Sequence, residues 1–268
     1  MGNNNCFSWS FGMSLKFAVV GKNLSSNINA DFFNWMYKQL DWDKEITYES
    51  VEINENGLED VLNSYDGVNI TMPYKKIVEK YLKQKETGFP NVNCVKPGFE
   101  GLYGDNTEWV GFLMTLYNYN INFESLKFIL FGDGCASKTI QRCLGNTAVV
   151  INRDRELLQK SIHDSKGQTV VINCTPLGTD DLIDKSPLID SKISKEHILM
   201  DINYNPIQTR FLINGKENGN RIINGIDMFI YQALGSIGVW QTPRPLKYLV
   251  KNIEFDKMKL FIKELTYN

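Results

Sequence analysis

The sequence predicts an α/β protein in two parts, an N-terminal α/β unit followed by a doubly wound dinucleotide-binding unit. Three observations carry this. Short apolar runs alternate with segments of helical spacing from Leu15 onward. One of these runs, residues 127–131, is followed at once by the glycine turn GDGCAS. The chain has 268 residues, 43% of them hydrophobic, enough for the cores of two units.

The elements follow in order. Residues 16–20 are a short apolar strand ending at Gly21. Residues 31–40 have helical spacing, with Phe32, Phe33, Met36 and Leu40 on one stripe. Residues 47–53 alternate as a strand, and 57–64 suit a short helix. A strand over 68–72 is followed by a helix from Pro73 to Leu82. This βαβαβα order predicts parallel strands covered by helices. Residues 107–118 read as a helix bridging into the second unit. After the strand at 127–131, strands are expected at 147–151, 168–172 and 198–202, with helices at 136–144, 154–162 and 209–214. Residues 226–237 form a return helix, and those after Pro243, with a helix over 254–265, pack back on the first unit.

Composition excludes several classes. Lys and Arg number 29 against 31 acids, a net charge of −2, which argues against nucleic acid as a partner. No apolar run is long enough for a membrane-spanning helix. The five cysteines form no Cys-x-x-Cys pair, so no metal site is expected and the thiols read as reduced and cytoplasmic. His163 and His197 sit in polar stretches and are expected at the surface. Residues 1–14 read as a disordered leader without the features of a signal peptide. They approach a myristoylation motif, but Cys6 stands where Ser or Thr is required, and Met13 is a candidate start.

Two motifs carry chemistry. GVNITMPYKK, residues 67–76, places Lys75 just beyond a strand. GLYGDNTEWVGF, residues 101–112, places Glu108 at the start of a helix. A lysine and a carboxylate meeting across a cleft can manage an alcohol's proton while hydride leaves for a cofactor. In GDGCAS, Gly132 permits the tight turn and Gly134 the approach of a pyrophosphate. Cys135, Ala136 and Ser137 open the helix whose N-terminus would hold it. Asp133 is the discordant residue there. At the end of the next strand stand Asn152, Arg153 and Asp154. Arg153 suits a 2′-phosphate and hence NADP. Asp154 suits a free 2′-hydroxyl and NAD, or a plain helix cap. The balance favours NADP, with NAD possible.

Together with INCTPLGT (172–179), DINYNPIQTRFL (201–212) and NGIDMFIYQAL (224–234), these motifs appear in the order found in shikimate dehydrogenases, and the chain resembles that family along nearly all of its length. The resemblance implies a Rossmann-like cofactor unit over 107–239 and a substrate unit over 15–106 completed by 240–268. It implies reversible NADP(H)-dependent reduction of 3-dehydroshikimate to shikimate, a step of chorismate and aromatic amino acid biosynthesis, by a monomer or homodimer. Lys75 and Glu108 take the catalytic places. Asn93, Gln232, Thr71 and Tyr204 line the substrate pocket, and Thr175, Gly225 and Met228 lie near the nicotinamide. The chain departs from the family twice. Glu108 stands where the family has Asp, and Asn27 and Asn29 stand where Ser-x-Ser holds the substrate carboxylate; a shift of one would bring in Ser26. These departures leave quinate or another ring hydroxy acid as an alternative substrate. Asp133 and the missing third glycine leave a non-catalytic nucleotide or metabolite sensor as a rival.

Overall fold

The computed structural model describes residues 14–86, 88–188, 193–240 and 251–266. The expected leader lies outside the described residues except for Ser14. The described strands form two sheets.

The first sheet is built around β1 (Leu15–Gly21), which pairs in parallel with β2 (Ile46–Glu52) and β3 (Gly67–Ile70). Leu15, Phe17 and Val19 point to one face, Ala18 and Val20 to the other, and all are buried. An interior strand must be apolar on both sides, which is why this run reads as continuous rather than alternating. The first face meets α1 (Asn29–Gln39) through Phe32, Phe33 and Met36. The second meets α2 (Leu58–Ser64) through Leu58 and Leu62. Beyond β3 come β4 (Gln84–Lys85), β5 (Cys94–Gly98) and β6 (Gly101–Asp105), giving the order β2-β1-β3-β5-β6-β4.

Two expectations need correcting here, and one pair of strands was not foreseen. β5 and β6 form an antiparallel hairpin, and β5 also runs antiparallel to β3. Its sequence, CVKPGFEGLYG, is dense in Pro and Gly, which hides the strand pattern. Residues 73–82 do not form the expected helix. The chain turns from Thr71 to Tyr74, and only a 3-10 helix, Ile77–Tyr81, follows. The Tyr74 hydroxyl donates to the Ile53 carbonyl at 2.6 Å and the Lys75 carbonyl accepts from Val92, so side-chain and loop contacts hold this segment. His163 is exposed as expected, but His197 is buried. Its Nδ1 accepts the Thr169 N–H at 3.3 Å, and burial lowers its pKa.

The second sheet is wholly parallel. Its strands are β7 (Lys127–Phe131), β8 (Ala148–Ile151), β9 (Thr169–Asn173), β10 (Ile198–Asp201) and β11 (Arg221–Ile223), in the order β11-β10-β9-β7-β8. Phe128 and Leu130 pack toward α3 (Glu108–Asn118) and α4 (Cys135–Leu144). Ile129 and Phe131 pack toward α5 (Arg155–His163) and α6 (Arg210–Asn218). The order reverses at β7, so the crevice of this doubly wound sheet opens at the GDGCAS turn.

Two helices join the sheets. α3 packs against α7 (Ile226–Trp240), whose Phe229, Ile230 and Ile237 enter the first sheet's core while Met228 enters the second's. Gly111 makes the contact close, because a Cβ there would sit 2.5 Å from the Met228 carbonyl oxygen. The C-terminal helix α8 (Phe255–Thr266) returns to the first unit, where Phe261 stacks on Trp35 of α1.

Lys259 of α8 also reaches Asp227 in the first turn of α7, with Nζ 2.7 Å from Oδ1. Asn118 of α3 donates to Oδ2 at 2.8 Å. Asp227 is buried and Lys259 half-buried. Lys259→Met leaves a buried carboxylate without its cation. The expected loss is about 2 kcal/mol, between the values for exposed and fully buried pairs, read as a lower urea midpoint; an unchanged midpoint would show that the pair contributes nothing.

Candidate functional site

A cavity of about 300 Å³ opens between the two sheets, beyond the ends of β1, β3 and β10. Lys75 and Glu108 face each other on its wall, joined by an ion pair between Nζ and Oε1. Each arrives by a different local device. Lys75 is presented by the turn that follows β3. Glu108 is the first residue of α3, and its N–H donates to the Asn106 side chain at 2.9 Å. Only 14% and 5% of the two side chains is exposed, so the pair is shielded from bulk water. Glu108 Oε2 is buried and has no hydrogen-bond partner among the described residues. A buried acceptor on a cavity wall is a place for a ligand's donor.

Around the pair lies a connected set of neutral polar groups. Asn93 Oδ1 accepts the Thr107 N–H at 2.7 Å, and its Nδ2 donates to Thr107 Oγ1 at 3.0 Å and more weakly to Gln232 Oε1 at 3.4 Å. Asn69 donates to Ser236 Oγ at 2.8 Å and accepts from the Tyr48 hydroxyl at 2.7 Å. Thr71, Tyr204 and Met228 complete the wall. Burial, with Asp180 nearby, pushes the Tyr204 phenol up to about 12, so it stays a neutral donor. Asn27 and Asn29 line the far end with Ser26. Asn27 Oδ1 accepts both the backbone N–H of Asn29, at 3.0 Å, and its side-chain amide, at 2.8 Å, which leaves Asn27 Nδ2 as a donor.

Sequence reasoning passed over some of these groups. Asn69 lies within the GVNITMPYKK motif and lines the cavity, but sits mid-strand, where the sequence pattern does not tell a pocket residue from a core one. Asn203 lies in the 201–212 segment and ties two loops together, donating to the Thr175 carbonyl at 2.9 Å. Ser236 left no signal, since it reads as an ordinary position on an apolar helix.

The second half of the site is the crevice above β7. Gly132 has φ +107°, and a Cβ would sit 2.7 Å from Thr175 Cγ2, so the turn admits no side chain. A Cβ on Gly134 would meet nothing within 4 Å, so the space over the start of α4 is open. Ala136 reaches the main cavity, Cys135 opens α4, and Ser137 is buried beside Cys174. The Asp133 carboxylate accepts from Asn152 Nδ2 at 3.0 Å, a contact between exposed side chains. At the end of β8 the two candidate residues differ in their contacts. Asp154 caps α5 by accepting the Leu157 N–H at 2.8 Å, and Arg155 binds the Pro187 and Leu188 carbonyls. Arg153, at φ +58°, is exposed and has no partner among the described residues. An open helix N-terminus beside an unpaired guanidinium fits a dinucleotide carrying an extra phosphate. Gly225 lies off the cavity wall, its N–H bound to the Asn203 carbonyl at 3.0 Å.

Known proteins match this arrangement. The chain is 28% identical over 248 residues to shikimate dehydrogenase (NADP(+)) of Clostridium botulinum, covering 83% of this chain and 95% of that one. It is 30% identical over 251 residues to the enzyme of the same name from Clostridium beijerinckii, covering 84% and 91%. This chain belongs to the shikimate dehydrogenase family. No protein-family profile matches it. Among solved structures, the chorismate mutase/shikimate 5-dehydrogenase fusion protein of Clostridium acetobutylicum superposes with a TM-score of 0.80 at 23% identity, covering 95% of this chain and 98% of that one. The ligand-free 5-ketofructose reductase of a Gluconobacter species superposes at 0.75 with 21% identity, covering 95% and 99%. The fold alone therefore does not fix the substrate.

Beneath the crevice, Asp201 is fully buried, accepting from Thr209 Oγ1 at 2.6 Å, Asn173 Nδ2 at 3.0 Å and the Asn203 N–H at 2.9 Å. Desolvation outweighs these bonds and raises its pKa from 3.8 to about 6. A raised folded-state pKa stabilises the fold below the unfolded value and loses that contribution as pH rises through the folded one. The stability of the wild type relative to Asp201→Asn, measured by urea unfolding, is expected to decline from about pH 4 to above pH 6. A difference that is flat across this range would refute the assignment.

Proposed function

We propose that this protein catalyses the reversible reduction of 3-dehydroshikimate to shikimate with NADP(H), as a cytoplasmic enzyme of chorismate and aromatic amino acid biosynthesis. The observation that carries the reading is the shielded Lys75–Glu108 pair on a cavity that also opens onto the dinucleotide crevice. The first sheet with α8 would hold the ring acid, and the second sheet the cofactor.

A bound nicotinamide dinucleotide supplies hydride exchange with the ring carbon. The protein's groups handle everything else. Lys75 donates a proton to the carbonyl oxygen as it becomes an alcohol and takes it back in the reverse direction. Glu108 holds the lysine through one oxygen and offers the unpaired Oε2 to a neighbouring ring hydroxyl. Asn93, Gln232, Thr71 and Tyr204 bind the remaining hydroxyls and fix the ring's orientation. The Asn27 amide, its oxygen already occupied, turns its donors to the substrate carboxylate. At the crevice, the N-terminus of α4 receives the pyrophosphate and Arg153 the 2′-phosphate.

Wild-type protein is expected to form NADPH from shikimate and NADP⁺, followed by reduced-nicotinamide absorbance. Lys75→Ala should lower kcat/KM about 10²- to 10⁴-fold without weakening NADPH binding. Turnover of quinate but not shikimate would move the substrate to another ring acid, and lysine-independent turnover would remove Lys75 from the chemistry.

Arg153→Ala is expected to weaken NADPH binding about 10- to 100-fold, the range for one charge-assisted contact, and to leave NADH binding unchanged. Equal losses in the two titrations would mean that Arg153 does not read the 2′-phosphate.

A further inference from the structure

Hydride transfer in the proposed reaction demands a fixed spacing between the catalytic pair and the helix that receives the cofactor. We propose that Asn91 is a positioning residue that sets this spacing; the inference rests on the dehydrogenase reading above.

Asn91 lies in the loop before β5, on the substrate side, and is fully buried. Its Nδ2 crosses to the other unit and donates to the carbonyl of Cys135, the first residue of α4, at 2.9 Å. Its own carbonyl accepts from Asn106 Nδ2 at 2.9 Å. Asn106 Nδ2 also contacts Thr139 Oγ1, one turn along α4, at 3.1 Å, while its Oδ1 receives the Glu108 N–H at 2.9 Å. The next residue, Val92, donates its N–H to the Lys75 carbonyl at 3.0 Å. The Asn91 loop is thus bonded directly to the Lys75 backbone and to the first turn of α4, and through Asn106 to the Glu108 N–H and to Thr139 one turn further. Asn106 and Thr139 are fully buried as well, so water does not compete for these bonds.

Stability alone does not call for this side chain. The Cys135 carbonyl already has a second donor in Thr139 Oγ1 at 3.3 Å. Asn91 Oδ1 is buried with no partner among the described residues, which is unfavourable in itself. What Asn91 adds is a directed tie across the cleft. A small displacement of the reacting groups costs far more in rate than in binding.

The test compares Asn91→Ala and Asn91→Asp with the wild type. Asn91→Ala should lower kcat about 10- to 100-fold, with KM for shikimate and the NADPH affinity from fluorescence titration unchanged. In Asn91→Asp the new carboxyl donates to the Cys135 carbonyl only when protonated. Its kcat should therefore be highest at acidic pH and fall as pH rises through that titration, a limb absent from the wild-type profile. Unchanged kcat in both variants, or a loss of NADPH affinity as large as the loss of kcat, overturns the proposal. Backbone amide exchange needs no substrate and tests the tie even if shikimate is not turned over. Asn91→Ala should speed exchange in the first two turns of α4 and at Val92 while β9 and β10 stay protected. Unchanged exchange there would show that Asn91 ties nothing.

Discussion

The close packing of α3 on α7 is the constraint on which the site depends. α7 belongs to both cores and α3 to the second, so their contact sets the relation of one sheet to the other. Gly111 lets the two backbones approach, and the residues on either side of that contact are Glu108 from α3 and Met228 and Gln232 from α7. The cavity wall is thus part of the structural joint. A side chain at position 111 would push apart the helices that carry the carboxylate and the ring-binding amide. Close-packed interiors transmit such a displacement rather than absorb it.

The joint also explains how a charged pair is held in a largely shielded place. Lys75 and Glu108 neutralise one another, and the groups around them are amides and hydroxyls that already bond each other. Tyr48, Asn69, Ser236, Thr107 and Asn93 form a buried chain running behind the cavity. Such a network fixes its members' directions because each bond limits its neighbours, and one unmade bond would be costly. Against this background Glu108 Oε2 stands out as a buried acceptor on the cavity wall without a partner among the described residues.

Much of this was legible in the sequence, for reasons particular to each part. The run at Lys127–Phe131 with GDGCAS after it marks both β7 and the start of α4, because a strand buried on two faces and a glycine turn leave little choice of residue. Lys75, Glu108, Asn93 and Gln232 could be placed by motif order, and the fold brings them to one cavity. The β5–β6 hairpin could not be read, since its Pro and Gly break the alternation that betrays a strand. His197 misled because burial depends on partners distant in sequence, here the N–H of Thr169. The rivalry of Arg153 and Asp154 was open for the same reason. An aspartate before a helix can be a cap or a ligand, and its contact to Leu157, made only in the folded chain, is that of a cap.

The two departures from the family pattern share a geometry. Glu in place of Asp adds a methylene at one end of the cavity, and Asn in place of Ser adds an amide at the other. Each longer side chain is held by a neighbour: Glu108 by Lys75, Asn27 by Asn29. The chemistry offered is nonetheless the same, amide donors for a carboxylate at one end and a carboxylate acceptor with a proton-bearing lysine at the other. The departures thus change which residues line the cavity and keep the kinds of donor and acceptor they offer.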